Sequence, residues 1–327
     1  MSNYALRALR SADLDRVAEI EGKISGSPRK TYYGKQLALV AANPDSFVST
    51  VVEDGGKLMG FGLARVQRGE FGIQNAVAVL DVLGVDSDAR GKGIGRAVLS
   101  GIEQQLKERN IDILKTQVAW TDSVLTAFFC GNGFKLGSSQ VIERDTSPLK
   151  ENVAEMVTIK TDSKWQVHSA PDCNHYERLA RDKVLVRSFK AEDLPAVVRI
   201  DGKLTGTERP VYFSAKAREV LDESGIMVSL VAEDSGIVSG FIMARVDFGE
   251  FGKVETEAVI DTIGVHPAYR ETGVGHALLS QLLLNLSSLK VETVRTQVWW
   301  ENFELQRFLH GCGFGPSQRL VLTKAVS

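Results

Sequence analysis

Leu83-Gly84-Val85-Asp86-Ser87-Asp88-Ala89-Arg90-Gly91-Lys92-Gly93-Ile94-Gly95-Arg96 closes an almost wholly apolar strand, Val77 to Val85, and opens an amphipathic helix carrying Ile94, Val98, Ile102 and Leu106. Glycines in such a turn let several backbone N–H groups converge, and the helix N-terminus adds partial positive charge at the same place. Phosphate oxygens are the natural guests of that arrangement. The turn is not a Walker loop, because it ends Gly93-Ile94-Gly95-Arg96 where Gly-Lys-Ser/Thr is required. Nor is it a dinucleotide fingerprint. Val98 stands where the third glycine of GxGxxG belongs, and the turn falls in the middle of a domain instead of in its first βα unit.

The turn recurs once. Arg90-Gly91-Lys92-Gly93-Ile94-Gly95 aligns with Arg270-Glu271-Thr272-Gly273-Val274-Gly275 at an offset of 180 residues. The same offset pairs Gly22-Lys23 with Gly202-Lys203, Ala64-Arg65-Val66 with Ala244-Arg245-Val246, and Gly69-Glu70-Phe71-Gly72 with Gly249-Glu250-Phe251-Gly252. Thr116-Gln117-Val118 matches Thr296-Gln297-Val298, and Gly133-Phe134 matches Gly313-Phe314. A period this long makes each copy a whole domain and not one turn of a solenoid. The expected organisation is a first domain at 1–146, a linker at 147–183 and a second domain at 184–327.

Within a copy the periodicity alternates between strand and helix, which defines an α/β chain (α+β by some schemes). A strand at Ala5 to Leu9 leads into a helix with Leu14, Val17, Ala18 and Ile20 on one face and Ser11 as its N-cap. After a second helix, strands Phe47 to Val52 and Leu58 to Val66 are joined by Asp54-Gly55-Gly56, a hairpin signal. The apolar strand, the glycine turn and its helix follow, then a strand at Leu114 to Trp120, a short helix ending at Gly131 or Gly133, and a last strand past Phe134.

Composition narrows the function. Among 327 residues, 39 Lys and Arg nearly balance 41 Asp and Glu, so no global field draws the chain to nucleic acid or to an anionic membrane. The start, Met1 to Arg7, lacks the basic and apolar regions of a signal peptide. The most apolar helical run, Ala277 to Leu286, is too short to span a bilayer and contains Ser280, Gln281 and Asn285. Three cysteines, Cys130, Cys173 and Cys312, without CxxC spacing, predict neither disulfides nor a metal site, and suit a reducing cytoplasm.

The Arg-x-x-Gly-x-Gly turn after a strand ending Leu83-Gly84-Val85 resembles the acyl-CoA pyrophosphate motif of the GNAT superfamily of N-acetyltransferases. The second copy, Ile263-Gly264-Val265-His266-Pro267-Ala268-Tyr269-Arg270, includes the Val-x-Pro-x-x-Arg lead-in common there, with Ser87 standing in the first copy where Pro267 stands in the second. The resemblance covers both repeats, and the Gly-Phe pairs fit the family's end-of-helix signature. It implies two GNAT-like domains, each a mixed, mostly antiparallel twisted sheet flanked by helices, with splayed central parallel strands. It implies acetyl-CoA as co-substrate, bound in that splay, and a primary amine as acceptor, on a small molecule or a protein. Transfer would proceed by direct attack in a ternary complex, and the chain would be a monomer with an intramolecular pseudo-dimer, or a homodimer.

By the same resemblance the pantetheine arm bonds backbone groups of Leu83, Gly84 and Val85, or of Ile263, Gly264 and Val265. The diphosphate lies on amides of Arg90, Gly91, Lys92, Gly93, Ile94, Gly95 and Arg96, or of Arg270, Glu271, Thr272, Gly273, Val274, Gly275 and His276. Asn302 fits the family's asparagine near pantetheine, and Asp122 holds that place in the first copy. Arg29 with Tyr32, and Arg209 with Tyr212, fall where the family binds its acceptor.

Acyl transfer needs an uncharged amine, so a base or a water chain is expected. The first candidates are Asp81 and Asp261, which interrupt apolar strands; strict alternation puts Asp81 on the face of Val79 and Leu83. A carboxylate satisfied by backbone or an arginine is the competing reading. Glu70 and Glu250, in the Gly-Glu-Phe-Gly turns, are second candidates, with a solvated turn acid as their alternative. The family's leaving-group tyrosine is replaced by Phe129 and Leu309, leaving water, Cys130, His310 or Tyr32 as acid, or a copy without catalysis. One or both copies acting as a non-catalytic acyl-CoA sensor or pseudo-dimer scaffold is therefore the second functional reading.

Overall fold

The computed structural model describes residues 4–26, 30–68, 76–146, 184–218, 221, 228–247 and 256–326. In the first repeat, β1 (Ala5–Arg7) is followed by α1 (Leu14–Ser25), α2 (Lys30–Ala42), β2 (Phe47–Asp54), β3 (Lys57–Arg68) and β4 (Ala76–Val85). Then come α3 (Ile94–Glu108), β5 (Ile113–Ala119), α4 (Ser123–Gly131), β6 (Lys135–Leu136) and β7 (Ser139–Asp145). The second repeat runs β8 (Leu185–Ser188), α5 (Leu194–Thr205), α6 (Pro210–Arg218), β9 (Leu230–Asp234), β10 (Ile237–Asp247) and β11 (Glu257–Val265). It ends with α7 (Val274–Ser288), β12 (Thr293–Trp299), α8 (Phe303–Gly311), β13 (Gly315–Pro316) and β14 (Arg319–Ala325). The linker expected at 147–183 lies outside the described residues. Among the described residues no helix is long and apolar enough to cross a membrane.

Local chemistry accounts for most of these boundaries. Gly55 and Gly56 take φ of 58° and 78°, the pair of left-handed residues that a tight β2–β3 hairpin requires. Helix α1 buries Val17, Ala18 and Ile20, as its spacing predicts. Ser11 is not its N-cap, however. A 3-10 turn at Ser11–Asp13 intervenes, and the Asp13 carboxylate accepts from the Arg10 amide at 2.8 Å while Arg7 grips both of its oxygens at 2.7 Å.

Each half forms a seven-stranded mixed sheet, in the orders β1-β2-β3-β4-β5-β14-β6 and β8-β9-β10-β11-β12-β7-β13. The parallel neighbours are β4 with β5 and β11 with β12; all other pairs are antiparallel. In each half, two helices cover one face and one long helix covers the other. Val17, Ile20, Tyr33 and Leu37 meet Phe61 and Val82 on the first face, and Val98, Ile102 and Leu106 meet Ala78, Leu80 and Leu114 on the second.

The sheet orders depart from two self-contained repeats. Strand β14 of the second repeat inserts between β5 and β6 of the first, and β7 of the first inserts between β12 and β13 of the second. β14 pairs with β5 from Arg319↔Ala119 to Ala325↔Ile113, whereas β5 meets β4 of its own repeat only at Ala78↔Leu114 and Val79↔Lys115. The exchange reaches the interior. Leu322 and Val326 are buried in the first half's core, and Ile142 in the second's.

Candidate active site

The short β4–β5 ladder is the origin of the cleft. After Val79 and Lys115 the two parallel strands separate, and the Thr116 hydroxyl closes the ladder by donating to the Leu80 carbonyl at 3.1 Å. Thr296 does the same for Ile260 at 2.9 Å in the second half. Beyond that point β4 is without its parallel neighbour, which leaves a V-shaped opening below the glycine turn.

A β-bulge sits in the same strand. Leu63 pairs with Val82 and Ala64 with Leu80, so Asp81 is the extra residue; Asp261 is its counterpart between Ile260 and Thr262. The bulge reverses the facing of the strand. Ala78 and Leu80 before it, and Leu83 and Val85 after it, all pack toward α3, while Val82 turns toward α1 and α2. Strict alternation therefore fails here: Leu83 leaves the face of Val79, because one residue has been added to the pleat.

At the turn, Gly91 and Gly93 adopt φ of 77° and 81°. Gly93 is the N-cap of α3 and provides no side-chain cap, and the first amide with a helical acceptor is that of Ala97, bonded to the Gly93 carbonyl at 3.0 Å. The amides of Ile94, Gly95 and Arg96 precede that bond and form the helix's electropositive end. Tyr4 fixes the loop from outside by donating to the Lys92 carbonyl at 3.0 Å, and the Lys92 ammonium bonds the Asp88 carbonyl at 3.1 Å.

Asp86, at the strand end, escaped the sequence reading. Its side chain is 1% exposed, and it receives the Asp88 amide at 3.2 Å, Lys23 at 3.1 Å and Arg16. Burial pushes this carboxyl upward, but the Asp88 amide, Lys23 and Arg16 outweigh it and hold the group well below the usual carboxylate range. The turn is thereby tied to α1. In the second half His266 takes this place, with Nε2 2.7 Å from the Lys203 ammonium and Nδ1 accepting from the Ala268 amide.

One cavity of about 1740 Å³ joins these parts. It is lined by Arg90, Gly91, Gly93, Ile94, Gly95 and Arg96 of the turn, by Leu83 and Val85 of β4, and by Asp81. It continues past Tyr32 of α2 to Tyr212 of α6, so the two pseudo-equivalent tyrosines share one chamber. Asp81 is part-exposed there and is held side-on by Arg65, with both nitrogen-to-oxygen distances at 3.2 Å. Among the four alternatives for the acid, Tyr32 lines the chamber; Cys130 and His310 sit exposed on their helices and do not.

The second half's expected site is arranged differently. Asp261 also borders the chamber, but it is buried between Arg245 and Lys216, the latter at 3.1 Å. Burial raises its carboxyl, and the two cations more than reverse this, holding it well below the usual carboxylate range. Glu271 takes the left-handed φ of 63° where Gly91 stands in the first half, a conformation that disfavours a side chain. Arg270 pairs with Glu304 at 3.1 Å, Thr272 donates to the Tyr269 carbonyl at 2.7 Å, and the His276 ring stands edge-on to Phe308. None of the residues 270–276 lines the chamber.

The remaining expected residues divide likewise. The Asn302 side chain caps α8 by accepting from the Leu305 amide at 3.1 Å, and Asp122 caps α4 in the same way. Arg209 is buried against Asp201 and over the Tyr212 ring, outside the chamber lining. Arg29, Glu70 and Glu250 lie outside the described residues.

A mixed sheet opened by a splayed parallel pair, with a glycine turn feeding a helix at its mouth, defines an α/β fold with a cleft that can receive an anionic ligand at the helix N-terminus. The sequence profile of the acetyltransferase (GNAT) family matches residues 14–131 and 201–314, and the chain belongs to that family of acyltransferases, with the domain present in tandem. Among solved structures it is similar to a tandem GNAT protein from the clavulanic acid biosynthesis pathway, with 15% identity and a TM-score of 0.61 over 99% of both chains. A GCN5-related N-acetyltransferase from Sphaerobacter thermophilus aligns with 14% identity and a TM-score of 0.58, over 99% of this chain and 96% of that one. A GCN5-related glucosamine N-acetyltransferase region of a fungal multi-domain GH3 beta-N-acetylglucosaminidase aligns with 15% identity and a TM-score of 0.64; this chain spans 38% of its length. No curated protein matches the chain by sequence.

Proposed function

We propose that the chain is an N-acetyltransferase that moves the acetyl group of acetyl-CoA to a primary amine by direct attack in a ternary complex. In this reading the first half carries turnover, and the second half walls the acceptor chamber. The observation that carries it is the continuity of one cavity from the Gly91–Arg96 turn, along Leu83 and Val85, to Asp81 and on to α6.

The turn's main-chain amides would hold the diphosphate, and β4 past its bulge would align the pantetheine arm. Asp81, directly or through water, would take a proton from the acceptor ammonium. The freed nitrogen lone pair attacks the thioester carbonyl, the C–S bond breaks, the new amide nitrogen passes its surplus proton back to the acid, and the sulfur leaves as a thiolate that requires one proton. The Tyr32 hydroxyl, in the same chamber, is the group proposed to supply it. Such chemistry suits a cytoplasmic protein with access to acetyl-CoA.

The idle second half in this reading is supported by the double cation grip on Asp261 and by Glu271 in the left-handed region. The second reading extends that idleness to both copies, as a non-catalytic acyl-CoA sensor or pseudo-dimer scaffold. Calorimetry with acetyl-CoA, coupled to thiol release against a panel of amines, tests both. Binding at one site with release on at least one amine is expected. Binding without release on any amine would favour an acyl-CoA sensor.

A further inference from the structure

We infer that the acceptor amine also carries an oxyanion, a carboxylate or a phosphate, recognised by the wall that the second half contributes to the chamber. This rests on the acetyltransferase reading and adds the substrate's chemistry to it. Formal charge over the chain is close to balanced, at −2, yet the wall is not. From the second half, Lys216, Arg218, Arg245, Arg295 and Arg319 line the chamber against one carboxylate of that half, Asp261, among the described residues; Asp45, Asp81 and Asp122 line it from the first half. The positions 180 residues earlier are Gln36, Ala38, Arg65, Lys115 and Ser139, so three of the five cations have no charged counterpart in the first repeat.

The strand exchange concentrates this charge. Arg319 arrives on β14 in the first half's sheet, opposite Ala119, while Arg295 lies on β12 of the second. Both reach Glu257, at 2.7 and 2.9 Å. Asp261 likewise stands between Arg245 and Lys216. Each of these two carboxylates thus meets two cations, and the guanidinium fork matches the planar geometry of a carboxylate or the oxygens of a phosphate. Such a field attracts an anion into the chamber and orients it. An oxyanion there would leave the amine of the same molecule facing the Asp81 side of the cavity.

The test uses the full chain with CoA bound. Calorimetry compares free amino acids, aminoalkyl phosphates and the methyl esters of the same amino acids, with CoA release from acetyl-CoA followed on the same panel. Oxyanion-bearing members are expected to bind about tenfold or more tightly than the esters, as a charge-assisted hydrogen bond predicts. Arg218→Gln, at an exposed helix end, and Arg295→Gln should each erase most of that difference while acetyl-CoA affinity stays unchanged. Equal affinity for acids and esters, binding by neither, or a loss of acetyl-CoA affinity in Arg218→Gln would overturn the inference. Failure of acetyl-CoA to bind the full chain, read before any amine is added, would instead strike the acetyltransferase reading.

Discussion

Gln117 and Gln297, the same position of the two repeats, are bonded to each other: Gln117 Nε2 donates to Gln297 Oε1 at 3.1 Å. Equivalent residues meet in this way only at a twofold axis or its approximation, so the chain contains an isologous interface with itself. The symmetry is broken at once. Arg295 donates to Gln117 Oε1 at 2.7 Å, and Gln297 Nε2 donates to the Ser139 hydroxyl at 2.6 Å. The two halves therefore present unequal surroundings to one shared chamber.

The exchanged strands make the halves interdependent. Fragments 1–146 and 184–327, expressed separately, are expected to melt well below the whole chain, because each must close its sheet with its own last strand and the first core loses Leu322 and Val326. Co-expression should restore a single transition. An isolated first fragment melting cooperatively near the temperature of the whole chain would contradict the role given to the exchange.

Gly93→Glu should weaken acetyl-CoA binding about fivefold or more, since roughly 1 kcal/mol or more of like-charge repulsion is expected close to a phosphate. Crowding is not the cause: a Cβ at Gly93 meets nothing within 4 Å, although its φ of 81° adds backbone strain. Gly273→Glu is the matched control in the second half, where affinity is expected to hold. Calorimetry on the two variants decides, and equal effects would place cofactor binding in both halves.

Asp81→Asn is expected to lower kcat by about 10²-fold or more while leaving acetyl-CoA affinity intact. An unchanged rate across the pH range would remove Asp81 as the base. Asp261→Asn should act on stability instead, by roughly 2–4 kcal/mol, because it strips the counter-charge from buried Lys216 and part-buried Arg245. Denaturant melts separate the two outcomes.

The anchor beneath the turn sets a pH signature. Asp86 has a folded-state pKa depressed below its unfolded value, so its contribution is fully present above the unfolded value, about 4, and is lost as pH falls through the folded one. Asp86→Asn should therefore lower Tm at neutral pH, and the gap to the parent protein should narrow progressively below about pH 4. A gap that stays constant with pH would show that the Asp86 charge contributes nothing.

Much of the fold was legible from residue order alone. The Val77 to Val85 strand, the Arg-x-x-Gly-x-Gly turn, the Asp54-Gly55-Gly56 hairpin and the 180-residue repeat each follow from local chemistry: apolar runs, left-handed glycines and matching periodicity. Asp81 stood out because a carboxylate in an apolar strand demands a partner, but its bulge did not, since an added residue in a pleat depends on the neighbouring strand. Asp86 and Thr116 were missed for a similar reason; their partners, Arg16, Lys23 and Leu80, are distant in the chain.

Residue order alone dictates a glycine turn between an apolar strand and an amphipathic helix, and two copies of one α/β domain pattern. Tertiary structure alone decided that β7 and β14 trade places, because a strand repeated in both halves offers nearly the same backbone hydrogen bonds to either sheet. From that choice follow the shared chamber and the meeting of Arg319 with Arg295 on Glu257 across the two sheets. The unequal surroundings of Asp81 and Asp261 arise within each half, where Lys216 stands in place of Gln36.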